Sequence, residues 1–314
     1  MFDSIDMKIT LRQLQVFLEV ARADSVSRAA ERLSMSQSAV SSALGELERQ
    51  FDTLLFDRVG RVLRLNTLGE QLLPQVADLL DRSQAIEDAL AGRQGYGRLR
   101  IGATLTIGNY LATLLVARFL QNHPDSRVDL KVHNTASIIQ RLADFELDLG
   151  LIEGTCSHPD LEVETWVADE LAVFCAPSHP LAAREALTMD DLREVDWIVR
   201  EAGSGTRATF EQAFRRAPRP PRVRLALEHT EAIKRAVEFG LGVGCLSRLA
   251  LRDAFRRGSL VPLTVPGLDL QRSFQFVWHR QKYQSAGMRE FLALCRAMTQ
   301  DARRSDEIDI PFVP

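Results

Sequence analysis

Apolar residues in the stretch 10–66 recur at helical intervals. Leu11, Leu14, Phe17, Leu18 and Ala21 form one stripe, opened by Thr10 and Gln13 at the spacing of a capping box. A second short helix follows Ser25 and turns Val26, Ala29, Ala30 and Leu33 inward, and a tight Ser34-Met35 turn leads to a third helix capped by Ser36. In that third helix Val40, Leu44, Leu47 and Phe51 recur at steps of four, three and four, which predicts one buried face. Gln37, Ser38, Ser41, Ser42 and Gly45 fall on the other side, a small polar surface with no packing role of its own.

The pattern then lengthens. Thr67 and Glu70 have the spacing of a second capping box, and Leu72, Val76, Leu79, Ser83, Ile86 and Leu90 alternate steps of four and three, a short coiled-coil seam able to pair two copies of the chain. Pro74 predicts a kink in the early turns. The seam runs into Gly92-Arg93-Gln94-Gly95-Tyr96-Gly97, read as a hinge. From Arg98 onward strands alternate with helices: Leu99–Ala103, Ile107–Gln121, Arg127–His133, Ala136–Phe145, Leu147–Ile152, Leu171–Ala176, Trp197–Arg200, Thr206–Arg216, Val223–Glu228, Glu231–Phe239, Val243–Leu246, Leu249–Arg257 and Leu260–Val265, closed by Ser273–Trp278 and Ala286–Thr299. That rhythm predicts an α/β domain with a mostly parallel sheet, divided into two subdomains with a cleft between them. The expected units are 1–66, a linker at 67–96, a domain at 97–300 (97–168 with 272–300, and 169–271), and a loosely held tail at 301–314.

Composition narrows the classes. The 314 residues are 26% charged with a net charge of −3, and the longest run near the middle without a charged or strongly polar residue, Tyr110 to Ala117, is far short of the roughly 20 apolar residues of a membrane helix. Asp3 and Asp6 stand where a secretion signal carries basic residues. Cys156, Cys175, Cys245 and Cys295 make no C-x-x-C pair, which suits a reducing cytoplasm and predicts neither disulfide nor metal site. Basic and acidic residues balance in 1–66, at 9 each, so bulk charge says nothing about nucleic acid, and position must decide.

Position does point to DNA. A helix-turn-helix needs a recognition helix whose first turns reach base edges, with small side chains near the sugar-phosphate wall. Ser36, Gln37, Ser38, Ser41 and Ser42 supply these, Gln being able to pair bidentately with adenine. Arg58, Arg61 and Arg64 follow at three-residue spacing, as a basic wing on the phosphate backbone. The string Ser25-Val-Ser-Arg-Ala-Ala-Glu-Arg-Leu-Ser-Met-Ser-Gln-Ser-Ala-Val-Ser, followed by Leu44-Gly-Glu-Leu-Glu, Leu55-Phe-Asp-Arg and Thr67-Leu-Gly-Glu, closely resembles the N-terminal domain of LysR-type transcriptional regulators. The resemblance extends from about Leu11 to Thr299. It implies a winged helix-turn-helix, a dimerising linker helix lined by Leu72, Val76, Leu79, Ile86 and Leu90, and an effector domain like a periplasmic binding protein. It also implies double-stranded promoter DNA as partner, a homodimer or homotetramer, and RNA polymerase as a further partner. Asp52 and Leu68 depart from the family's usual Gly and Ala, and Asp at the first of these suits a left-handed turn.

In such α/β sheets ligands sit beyond the carboxyl ends of strands, at helix N-termini. Thr104 and Thr106, Asn134 and Thr135, Ser204 and Thr206, and His229-Thr230 stand at those turns, as an anion site or as ordinary helix caps. Arg207 faces either an anion or Glu201 or Glu211. Gly102-Ala-Thr-Leu-Thr-Ile-Gly-Asn-Tyr, His133-Asn-Thr-Ala-Ser-Ile-Ile and Gly150-Leu-Ile-Glu-Gly resemble the LysR branch that regulates sulfite reduction and carbon fixation, which implies a small oxyanion such as sulfite or sulfate, or a compact anionic metabolite. Gly240-Leu-Gly-Val-Gly244 follows a helix and precedes a strand, the reverse of a dinucleotide loop. No catalytic constellation, cofactor motif or metal set stands out: Cys156 and His158 lack further ligands nearby, and Cys245 between apolar neighbours reads as a packed thiol. The competing readings are an enzyme acting on a small anion with an accessory DNA-binding head, and a solute-binding transport protein.

Overall fold

The structure is a computed structural model that describes residues 8–59, 62–91, 95–184, 187–215 and 220–309. Asp3, Asp6, Arg61, most of the glycine hinge (Gly92, Arg93, Gln94), Arg216 and the end of the tail from Ile310 lie outside the described residues.

The head is built by local rules. Helix α1 (Leu11–Ala23) opens on the reciprocal Thr10/Gln13 box and α2 (Val26–Leu33) on Ser25. Helix α3 (Gln37–Gln50) opens on Ser36, whose hydroxyl accepts from the Ala39 amide at 3.1 Å. Phe17, Val20, Ala30, Val40, Leu44 and Leu47 meet in one core. Phe51 does not join it: the helix stops at Gln50, Asp52 turns the chain with φ 48°, and Phe51 is 47% exposed. Strands β1 (Phe56–Val59) and β2 (Val62–Leu65) form the wing. Helix α4 (Thr67–Leu90) is capped one residue earlier than the sequence suggests, by Asn66, whose side chain accepts from the Gly69 amide and donates to the Leu54 carbonyl. No Cβ fits at Gly69, since it would meet the Leu55 carbonyl oxygen at 2.3 Å.

The body is one nine-stranded mixed sheet. In chain order it comprises β3 (Arg98–Thr104), α5 (Leu105–Ile107), a π turn at Gly108–Ala112, α6 (Thr113–Asn122), β4 (Arg127–His133), α7 (Thr135–Ala143), β5 (Leu149–Glu153), β6 (Leu161–Cys175), α8 (Met189–Arg193), β7 (Asp196–Arg200), α9 (Gly205–Ala213), β8 (Arg222–Leu227), α10 (Thr230–Glu238), β9 (Val243–Ser247), α11 (Arg248–Arg257), β10 (Val261–Leu263), β11 (Gln271–His279) and α12 (Ala286–Thr299). Parallel pairs join β3 to β4 and β5, and β7 to β8 and β9. Antiparallel pairs join β11 to β5 and β6, and β6 to β9 and β10. The sheet is therefore less parallel than its βαβ rhythm suggests, because β6 begins ten residues before the expected strand and lies in both halves. Its first part pairs with β11 and its last part, Leu171 to Phe174, with β9. Separate apolar cores lie on the two halves.

The described part of the tail is packed, not loose. Ile308 is 2% exposed in the first core, the Ser305 hydroxyl donates to Asp169, and Arg252 binds the Ile308 carbonyl at 3.0 Å. The head also touches the body. Phe145, with φ 56°, places its ring in the head core and 4.1 Å from the His279 ring, and its carbonyl accepts from Arg22 of α1. Beside it Asp148 receives Arg100 at 2.6 Å and Lys282 at 2.8 Å, and Lys282 also meets Asp81 of α4. Burial alone would raise the Asp148 carboxyl, but Lys282 and Arg100 hold it well below the usual carboxylate range.

Candidate DNA interface and effector cleft

Two regions gather the residues singled out by sequence. On the head, Ser36, Gln37, Ser38, Ser41 and Ser42 are all exposed along one side of α3, with Val40, Leu44 and Leu47 buried on the other. Ser36 and Ser38 hydroxyls lie 3.0 Å apart. Arg58 and Arg64 are exposed and carry no ion pair among the described residues, but the wing register sets Arg58 opposite Leu63 and Arg64 opposite Asp57. The two arginines therefore leave opposite faces of the ribbon. On α4 the seam divides: Val76 is buried inside the chain's own head and Leu72 packs against it, while Leu79, Ile86 and Leu90 are 46%, 62% and 83% exposed.

In the body the hydroxyl residues converge where α7 and α9 begin. Thr104, at the end of β3, donates to the Glu153 carboxylate. The Thr135 hydroxyl donates to the Glu153 carbonyl at 3.2 Å and accepts from the Gly205 amide at 3.0 Å. Ser204 and Asn134 serve as helix caps, accepting from Arg207 and Ser137 amides. Thr206, 1% exposed, accepts from Arg272 Nη1 at 3.0 Å, and Arg272 Nε binds Asp169 at 2.6 Å. Thr106 is buried in the first turn of α5. The two halves thus meet directly at this edge, and Gly205 is obligatory there, since a Cβ would lie 2.0 Å from the Glu153 carbonyl oxygen.

Next to this contact a cavity of about 410 Å³ opens between the halves, lined by Leu105, Asn109, His133 and Asn134 on one side and Glu201, Glu228 and His229 on the other. Of the hydroxyl and cap residues predicted to form an anion site, Asn134 and His229 line it, and Thr104, Thr106, Thr135, Ser204 and Thr206 do not. Glu201 is held by buried Arg200 at 2.8 Å, and Arg207 pairs with Glu211 at 2.6 Å. A second bridge crosses the halves where the Tyr110 hydroxyl donates to Glu231, which also pairs with Lys234 at 2.6 Å. Burial and the Glu231 carboxylate push the Tyr110 hydroxyl up. Sequence reading passed over Glu153, Arg272 and Asp169, whose partners lie tens of residues away.

The thiols have no part in either region: all four cysteines are free, Cys175 and Cys245 are buried, and burial pushes them up to about 11 and about 12. No group of metal-ligating side chains occurs among the described residues, and no helix there is long and apolar enough to cross a membrane.

Comparison with known proteins agrees with this division. Residues 11–70 match the bacterial regulatory helix-turn-helix protein, lysR family, and residues 92–300 match the LysR substrate binding domain. The chain is 42% identical to an uncharacterized HTH-type transcriptional regulator, YeiE, of Escherichia coli K12, over 92% of this chain and 98% of that one. It is 34% identical to the RuBisCO operon transcriptional regulator of Allochromatium vinosum, over 91% and 96% of the two chains. The CcmR regulatory domain of Synechocystis, solved in complex with 2-PG, superposes with a TM-score of 0.62 at 31% identity, over 66% of this chain and 99% of that domain. With a polar recognition helix on a winged head and an effector domain behind it, the chain belongs to the LysR family of DNA-binding transcriptional regulators.

Proposed function

We propose that this regulator senses a small oxyanion, sulfite or sulfate first among them, at the turns Thr104–Thr106, Asn134–Thr135 and Ser204–Thr206. Binding there shifts the two halves of the body and so the spacing and DNA bend of paired heads. Arg272 carries this reading. Its side chain is 3% exposed, it touches Thr206 in the first turn of α9, and its Nη2 has no hydrogen-bond partner among the described residues. A buried guanidinium nitrogen left without an acceptor is costly, and an anion oxygen is the acceptor that removes the cost. The binding of 2-PG by the CcmR regulatory domain supports a small-molecule role for this kind of domain.

On the head we assign base and phosphate contacts to Ser36, Gln37, Ser38, Ser41 and Ser42, with Arg58 and Arg64 on the backbone and Arg61 as a further contact from outside the described residues. Leu79, Ile86 and Leu90 pair two linker helices in a homodimer or homotetramer, which the spacing of two half-sites along a duplex requires. Functional units at 1–66, 67–96 and 97–300, acting in the cytoplasm on promoter DNA beside RNA polymerase, complete the reading. The relatives are regulators and the chain is not an enzyme.

The test is thermal unfolding of the full chain in sulfite and sulfate against chloride at equal ionic strength, because a ligand that binds only the folded state raises the melting temperature. Sulfite or sulfate should raise it in the natural chain and not in Arg272→Gln. Equal curves in all three salts would remove the oxyanion.

A further inference from the structure

A second cavity of the chain lies away from the cleft. A space of about 770 Å³ lies between the head, α4 and the body, within the range of small-molecule sites. Its lining includes eight Arg or Lys and five Asp or Glu. Arg98 turns to Asp129, which is not part of the lining, so seven basic groups face five acids. The acids are engaged: Glu19 by Arg22, Asp81 and Asp148 by Lys282 and Arg100, Glu146 by Arg141, and Asp88 by the Gln84 amide.

Positive groups remain over. Among the described residues, exposed Lys131 of β4 has no acidic partner and Arg12 of α1 binds only Gln15, at 3.2 Å. Arg32 has one distant partner, Glu19 at 3.7 Å, while Arg22, whose side chain is 11% exposed, keeps a buried Nε with no acceptor. Burial, then the neighbouring Arg100, lowers the Arg22 pKa, as expected of a cation short of anionic partners.

We propose that this junction cavity binds a small phosphate dianion, inorganic phosphate or a phosphomonoester, between Arg12, Arg22 and Arg32 of the head and Lys131 of the body. A dianion matches the surplus of two, and a phosphate offers acceptors enough for guanidinium groups arriving from both sides. Such a ligand ties the head to the body at a place distinct from the effector cleft, so its occupancy bears directly on how freely the head meets DNA.

The test is calorimetric titration of the full chain with inorganic phosphate, against chloride at matched ionic strength to remove general screening. The natural chain should show saturable binding, weakened about tenfold by Lys131→Gln and by Arg12→Gln, the loss of one charge-assisted hydrogen bond each. Both side chains are exposed, so the melting temperatures without phosphate should stay unchanged and exclude misfolding. Arg272→Gln, in the cleft, should leave phosphate binding intact. Absence of saturable binding, or affinity in Lys131→Gln and Arg12→Gln equal to that of the natural chain, overturns the proposal. Loss in Arg272→Gln alone also overturns it, while leaving the cleft reading in place.

Discussion

The two functional regions treat their polar side chains in opposite ways. On α3 the serines and Gln37 are exposed and almost uncommitted, their backbone held by Ser36 and by three apolar residues on the far side. At the cleft Thr104, Thr135 and Thr206 are at most 6% exposed and already bonded to Glu153, Gly205 and Arg272. The head's partner arrives from outside and needs free groups, whereas an effector at the cleft must replace bonds the protein makes to itself. That replacement converts binding into movement: a ligand shifts a conformational equilibrium only by its differential affinity for the two states, and bonds between the halves are where such a difference arises. Under the proposed function the head holds still and the cleft exchanges partners.

This contrast depends on a joint that lets the two regions behave separately, and the joint gives the largest expected effect. Asp148→Asn leaves Lys282 and Arg100 without their shared buried carboxylate, which should lower stability by about 3–5 kcal/mol. Because the native carboxyl is held below its unfolded value, its contribution is fully present above the ordinary carboxylate range and is lost as pH falls below about 4. Urea unfolding of the natural chain should therefore weaken over that acid range, and Asp148→Asn should weaken less. Identical acid slopes would remove Asp148 from the joint.

How much was legible follows the same divide. Head caps span three residues, so Thr10 with Gln13, Ser25 and Ser36 could be read directly. Phe51 misled because apolar spacing continues past the point where Asp52 turns the chain. Three-residue spacing marks Arg58 and Arg64 as a basic wing but not their faces: a hairpin register pairing 58 with 63 sends them to opposite ones, and register is not written in spacing. Val76 fits the seam by period yet packs inward, because α4 serves the head core before it serves a partner. In the body, helix starts were visible from Ser, Thr and Asn, while Thr104 with Glu153 spans 49 residues and Arg272 with Thr206 spans 66. The early part of β6 was hidden by Glu162, Glu164, Asp169 and Glu170, acids that a half-buried strand carries on its open side or pairs with arginine.

The cleft half of the comparison can be broken at one atom. Gly205→Ala puts a Cβ against the Glu153 carbonyl and 2.9 Å from Thr135 Oγ1, so the closed contact must part. Overpacking of this kind costs about 1–3 kcal/mol. The melting temperature should fall, the sulfite or sulfate response should change, and the DNA bend imposed by the ligand-free chain should shift with the parted halves. An unchanged bend would uncouple the cleft from the heads.

The head half yields the smallest change in folding and the cleanest in function. Gln37→Ala combined with Ser38→Ala removes exposed groups, so the melting temperature should not move. Specific operator binding should weaken by about 1–3 kcal/mol, the worth of one good bidentate base contact, while binding to random duplex, set by phosphate contacts, stays as it was. Footprinting and a salt titration on both duplexes measure this. An unchanged footprint would move base reading away from the first turn of α3, and a parallel loss on random duplex would make these residues backbone contacts. Either result would leave the polar surface of α3 accessible yet unread, and the division between a head with free groups and a cleft with committed ones would rest on the cleft alone.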